Sequence, residues 1–153
     1  MQKKLWAIGL ALVLGGGFGI SALAQTKPNV LVAERLSAMR LQQKYMVPMF
    51  LMATGKTPYD ANIVARNSGY IEALSVMAWD GFTEDTKGEK SRALPEIYSN
   101  ASGFKTAQDG FRGAATKLTA ASKAGNEAST KTAITETLNS CNGCHKQFRG
   151  PAL

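Results

Sequence analysis

The chain has 153 residues, with 18 lysines and arginines against 11 acidic residues and a formal net charge of +7. This length favours one domain with a real hydrophobic core. The basic residues are scattered, without blocks or interleaved aromatic residues, so nothing supports binding to nucleic acid. The excess positive charge is typical of a solvated surface, and it is also suited to steering a redox partner.

The first 24 residues have the pattern of a cleaved signal peptide. Lys3 and Lys4 form a positive n-region, an apolar run interrupted by glycines covers 5–20, and a small-x-small pattern ends the segment at 22–24. A single membrane anchor is the alternative, but the run is short and rich in glycine for a spanning helix. We therefore expect export to the periplasm, a mature domain at 25–153, and no stable membrane insertion after cleavage.

Apolar spacing in the first half of this domain predicts two helices and a long connection. The first helix covers 29–54 and the second about 58–79, with Pro58 in its first turn. The polar stretch 80–100 has no sustained period, and we expect a long connection there with a short turn around Pro95. The stripe of the first helix comprises Val32, Leu36, Met39, Gln43, Met46 and Phe50.

Two further helices complete the predicted fold. The third begins near Ser102, carries Phe104, Phe111 and Leu118 at steps of seven, and ends at Gly125. Asn126 can cap the fourth, which runs to about 149. Because nothing alternates with period two, the sequence predicts an all-α, antiparallel four-helix bundle, in which cofactors lie between facing helices.

The fourth helix contains all of the cysteine and histidine residues of the chain. Cys141, Cys144 and His145 are its only cysteines and its only histidine. In a helix, the two cysteines are one turn apart and His145 is one turn beyond Cys141, so all three side chains project toward one side.

Three chemistries compete for this set. A structural zinc site needs four ligands, so carboxylates would have to complete it. A thioredoxin-like pair needs its first cysteine at a helix N-terminus after a strand, whereas this pair lies near the end of a helix. Covalent attachment of haem by C-x-x-C-H uses both thiols as thioethers and the imidazole as an iron ligand. The motif and the export signal together favour one haem c.

Four segments carry a resemblance to a known family. They are "TGKTPYDA" at 54–61, "MAWDGF" at 77–82, "ALPEIYS" at 93–99 and "CNGCHKQFR" at 141–149. In their order and spacing, the chain beyond residue 25 resembles the class II c-type cytochromes, the cytochrome c-prime family. The resemblance implies that Cys141 and Cys144 hold the haem and that His145 is the proximal iron ligand.

The resemblance also implies roles for residues outside the motif. Arg35 would pair with a haem propionate, although Leu36 replaces the polar residue that usually follows it. Arg149 matches a basic residue beside the proximal face, but a terminal arginine on the helix dipole is an equal alternative. Trp79 and Phe82 resemble the aromatic walls of the haem pocket, which core packing explains nearly as well. A weaker suggestion is that Arg92 reaches a propionate from the connection.

Met39 decides between two functions that this family contains. If its thioether binds iron, the site is six-coordinate and low-spin, and the protein is a one-electron carrier for periplasmic redox partners. If it does not, a five-coordinate, high-spin haem binds NO or CO. We favour ligation because no stronger distal ligand is present, and we expect no enzymatic turnover. Members of the family that the chain resembles often pair as homodimers through the first two helices, and four apolar residues are candidates either for such a seam or for the core: Val47, Phe50, Leu51 and Ile63.

Overall fold

The computed structural model describes residues 26–152, so the predicted signal peptide lies outside the described residues. In chain order, the helical elements of this range are α1 Pro28–Ala53, α2 Ala61–Leu74, a 3₁₀ turn Glu84–Thr86, α3 Glu96–Ser99, α4 Ala101–Ala124 and α5 Glu127–Phe148. Contacts between α1 and α2, α2 and α4, α4 and α5, and α1 and α5 close a four-helix bundle. The predicted fold is therefore confirmed. Among the described residues, no helix has the length and apolar character needed to cross a membrane.

The connection between α4 and α5 forms as predicted. Gly125 has a φ of 76°, in the left-handed region that favours glycine, and it ends α4. The side chain of Asn126 then accepts a hydrogen bond of 2.9 Å from the backbone N–H of Ser129 and caps α5. Because so short a link reverses the chain, α4 and α5 are antiparallel neighbours.

Both predicted ends of the second helix are wrong. The helix begins at Ala61 because the Asp60 carboxylate caps it, accepting from the N–H groups of Asn62 and Ile63 at 2.9 and 3.0 Å. It ends at Leu74, since the Ser75 hydroxyl donates to a backbone carbonyl three residues earlier and the chain then enters turns. Trp79 therefore lies in an irregular segment after α2, and Pro58 lies before the helix.

The predicted stripe of the first helix is only partly correct. Val32 and Met46 are buried, but Leu36 and Gln43 are exposed. Arg35 is buried in place of Leu36 because it donates to the connection, and the Gln42 side chain donates to a carbonyl at the end of α2 at 2.8 Å. The buried face of α1 therefore differs from the predicted apolar stripe, because it includes side chains that form polar contacts with other segments.

Two groups of apolar side chains fill the bundle. The main cluster joins all four long helices and contains Met46, Met49, Met52, Val64, Ile71, Phe111, Ala115, Leu118, Ala133 and Ile134. The aromatic cluster lies where α3 and the connection meet α4 and α5, and it is built on Ile97, Phe104 and Phe148. Trp79 packs against both clusters. The boundary between the two clusters is the part of the core that faces the cysteine motif.

Candidate functional site

The last turns of α5 bring the cysteine motif to the boundary between the two clusters. Cys141 packs against the main cluster and Cys144 against the aromatic cluster, and both side chains are half-buried. His145 is half-buried on the same side of the helix, where Ile134 and Phe148 are buried. The predicted shared face is therefore present.

Burial makes both thiols weaker acids than an ordinary cysteine. It is the main cause that raises the pKa of Cys141 to about 11, with the neighbouring Cys144 adding to the rise. Burial also raises the pKa of Cys144. A thioredoxin-like nucleophile needs a lowered thiol pKa, so this environment does not suit that chemistry.

A zinc site also lacks its ligands. Within residues 26–152, no group of three or more histidine, cysteine, aspartate or glutamate side chains converges on a point that could hold a metal ion. Carboxylates therefore do not complete a four-ligand set around Cys141 and Cys144.

The surroundings of His145 favour a neutral imidazole. Burial is the main cause that lowers its pKa, followed by the positive charges of Arg149 and Arg92. A neutral imidazole is the form that binds iron, and two thiols lie within one turn of it on a half-buried face. This donor set, placed between apolar clusters, fits a covalently attached haem.

Aromatic side chains form the wall next to the motif. The Phe104 ring lies 5.0 Å from Phe82 and 5.2 Å from Phe148, measured between centroids, and Trp79 meets it edge-on at 6.1 Å. A cavity of about 310 Å³ opens beside these rings, lined by Trp79, Asp80, Phe82, Glu84, Ile97, Tyr98, Ala101, Phe104 and Gln108. Trp79 and Phe82 thus both pack against the core and line the cavity.

Arg35 is the most buried cation of the site, at 2% exposure. Its guanidinium donates to the Gly81 carbonyl, to the Thr86 hydroxyl at 3.3 Å and to the Ser91 hydroxyl at 2.9 Å. Burial is the main cause that lowers its pKa, and the Tyr98 side chain partly offsets this. Sequence reasoning missed these partners, because the connection has no periodicity that would place them against α1.

The remaining predicted residues lie on three different segments of the chain. Met39 is half-buried on α1 and belongs to neither apolar cluster. Arg149 is exposed and follows the last residue of α5, and its backbone N–H donates to the His145 carbonyl at 3.1 Å. Arg92 does not extend freely from the connection, because its Nε donates to the Gly150 carbonyl at 2.9 Å.

A four-helix bundle with C-x-x-C-H on its last helix defines a class II c-type haem protein. The family model described as Cytochrome C' matches residues 30–149. The chain belongs to the cytochrome c' family, whose members carry covalently attached haem c. Cys141 and Cys144 are the only cysteines available for that attachment.

Individual relatives agree with this assignment. Cytochrome c' from Rubrivivax gelatinosus is 39% identical over 124 residues, covering 80% of this chain and 96% of its own. The crystal structure of cytochrome c' from that organism has a TM-score of 0.78 at 38% identity and covers 81% of this chain and 98% of its own. A nitric oxide complex of a mutant cytochrome c prime from Alcaligenes xylosoxidans has a TM-score of 0.77 at 33% identity, covering 83% of this chain and 98% of its own.

Proposed function

We propose that this protein is a five-coordinate haem c protein that binds NO or CO, with His145 as the protein ligand of the iron. The observation that carries the proposal is the similarity, along 83% of the chain, to a solved mutant cytochrome c prime in complex with nitric oxide. His145 is the only histidine, and it lies one residue after Cys144 in the attachment motif. When bound, the haem supplies the iron and its open coordination position.

Arg35 is the residue that we propose for a haem propionate. Its acceptors, a carbonyl and hydroxyl groups, are all neutral, although the guanidinium is almost completely buried. A buried cation is stabilised best by an anion that can accept hydrogen bonds from its fork. A propionate carboxylate at this point would supply that charge.

Met39 is proposed to pack near the distal side without binding iron. It is half-buried on α1 and belongs to neither apolar cluster, and methionine is a flexible side chain. The six-coordinate electron carrier that the sequence favours is less well supported than its gas-binding alternative, because a similar solved protein is a nitric oxide complex. The electron-carrier function requires the Met39 sulfur to stay bound to the iron.

The cellular setting follows from the same proposal. We infer that residues 1–24 are removed as a signal peptide and that the protein works in the periplasm, where a redox partner returns the iron to its ferrous form. We expect binding of a diatomic ligand rather than turnover of a substrate.

We also infer a homodimer through α1 and α2, because apolar side chains are exposed on these helices. Leu41, Val47 and Tyr70 are each between 41% and 46% exposed. Of the four predicted seam residues, Val47 is the exposed one, whereas Ile63 packs against the main cluster. A second copy would remove the exposed apolar surface from water.

The kinetics of carbon monoxide binding to the ferrous protein test the proposed function. The unmodified protein should bind CO, and Met39→Ala should bind it faster because a side chain near the open position is removed. Met77→Ala is the matched control, since Met77 is 56% exposed and should leave the rate unchanged. Failure of the unmodified protein to bind CO, with binding restored by Met39→Ala, would instead make Met39 the sixth ligand.

A further inference from the structure

The end of α5 is fastened to the long connection by a pairing that we call the C-terminal clasp, made of residues 92–94 and 148–150. The Leu94 N–H donates to the Phe148 carbonyl at 3.1 Å, and the Gly150 N–H donates to the Arg92 carbonyl at 2.7 Å. The centres of the two segments form an isolated antiparallel bridge. The Arg92 side chain adds a further bond, from its Nε to the Gly150 carbonyl at 2.9 Å.

The clasp fixes the position of the Arg92 guanidinium. Backbone and side chain of this residue both bind Gly150, so the group is held at the end of α5 rather than extended into water. The same end of the helix carries His145, whose carbonyl accepts from the N–H of Arg149, the residue at the centre of the clasp. Arg92 is thereby placed at the end of α5 that carries His145, although it is 53 residues away in the chain.

Among residues 26–152, no ion pair neutralises the positive charge of Arg92. The four ion pairs formed among residues 26–152 involve other side chains. Arg92 is also half-buried, and water screens a charge less in such a position than on an open surface.

We propose that Arg92 raises the reduction potential of the haem, because the C-terminal clasp holds its positive charge at the end of α5 that carries His145. The inference rests on the proposed function, because it takes His145 as the iron ligand. Reduction transfers one electron from an external donor to ferric iron, and no bond or proton is exchanged. The site becomes more negative by one charge, so a fixed cation nearby stabilises the reduced form.

Redox titration of the purified haem protein, followed optically, tests the role of Arg92. Arg92→Gln removes the charge and should shift the equilibrium three- to tenfold toward the ferric form, which is about 30 to 59 mV at 59 mV per tenfold for one electron. Arg92→Lys keeps the charge, so its potential should shift by less than half as much as that of Arg92→Gln. Lys123→Gln is the matched control, because it removes an equal charge near the opposite end of α5, roughly 30 Å away.

Two results would overturn the proposal. One is a potential for Arg92→Gln equal to that of Lys123→Gln, and the other is a potential for Arg92→Lys as low as that of Arg92→Gln. If Arg92→Gln does not retain haem, Arg92→Met supplies a neutral side chain of similar length. The spectrum and CO binding of each sample separate this test from the proposed function, because those readouts report ligation and the potential reports the charge.

Discussion

The guanidinium carbon of Arg35 lies 4.2 Å from the centroid of the Phe82 ring, so a buried cation on α1 covers an aromatic side chain of the connection. Phe82 in turn contacts Phe104 of α4 at 5.0 Å. The pair joins three parts of the chain at one edge of the aromatic cluster. Arg35 thus has a structural role beside the propionate contact that we propose for it.

Replacement of Arg35 should destabilise the protein. Arg35→Met leaves the acceptors at Gly81, Thr86 and Ser91 without their donor, and we expect a loss of about 3 kcal/mol in the free energy of unfolding. Denaturation by guanidinium chloride measures it. Arg40→Met, at an exposed position on the same helix, is the control and should change stability little. Equal stability of the two variants would show that the Arg35 contacts contribute nothing.

Gly81 should not tolerate a side chain. A Cβ atom there would lie 2.6 Å from the Leu31 carbonyl oxygen and 2.9 Å from the Arg35 Cβ, so backbone would have to move. We expect Gly81→Ala to cost about 1–3 kcal/mol through overpacking. Gly88→Ala is matched to it, because nothing lies within 4 Å of a Cβ at that position. Thermal unfolding of the two variants compares them, and similar melting temperatures would contradict the close approach of α1 and the connection.

Arg149 should protect the iron–histidine bond in acid. Its charge helps to lower the pKa of His145, so the imidazole resists protonation as the pH falls. Arg149→Gln removes that effect, the pKa of His145 rises, and acid should release the ligand at a higher pH than in the unmodified protein. Optical titration of the ferric protein from neutral to acidic pH measures the midpoint. Arg112→Gln, on α4, should leave it in place, and an unchanged midpoint in Arg149→Gln would show that the charge is too well screened to act.

A charge at Val47 should prevent dimerisation. This side chain is 46% exposed on α1, and Val47→Lys would place a cation in the seam that we infer. Light scattering coupled to size exclusion should find a dimer for the unmodified protein and a monomer for the variant. Lys117→Gln, at an exposed position on α4, serves as a control that should remain dimeric. A monomeric unmodified protein would refute the dimer.

The parts of this molecule that local patterns determine could be predicted from the sequence. Helical spacing placed Phe104, Phe111 and Leu118 in the core, where all three are buried. The C-x-x-C-H motif predicted a shared face on the last helix because that face depends only on the geometry of one helix.

Contacts between distant segments could not be predicted in this way. Arg35 binds Ser91 at a separation of 56 residues, and Arg92 binds Gly150 at a separation of 58. No periodic signal marks either pair, because the connection that supplies one partner is irregular. The burial of Arg35 and the clasp at Arg92 therefore became visible only in the folded chain.

The most direct test of the proposed function is the EPR and optical spectrum of the purified ferric protein, followed by addition of CO after reduction. A five-coordinate site predicts a high-spin ferric signal and a ferrous spectrum that shifts when CO is added. A low-spin signal with the far-red methionine–iron band, and a ferrous spectrum that CO does not change, would contradict the proposal and make Met39 the sixth ligand of an electron carrier.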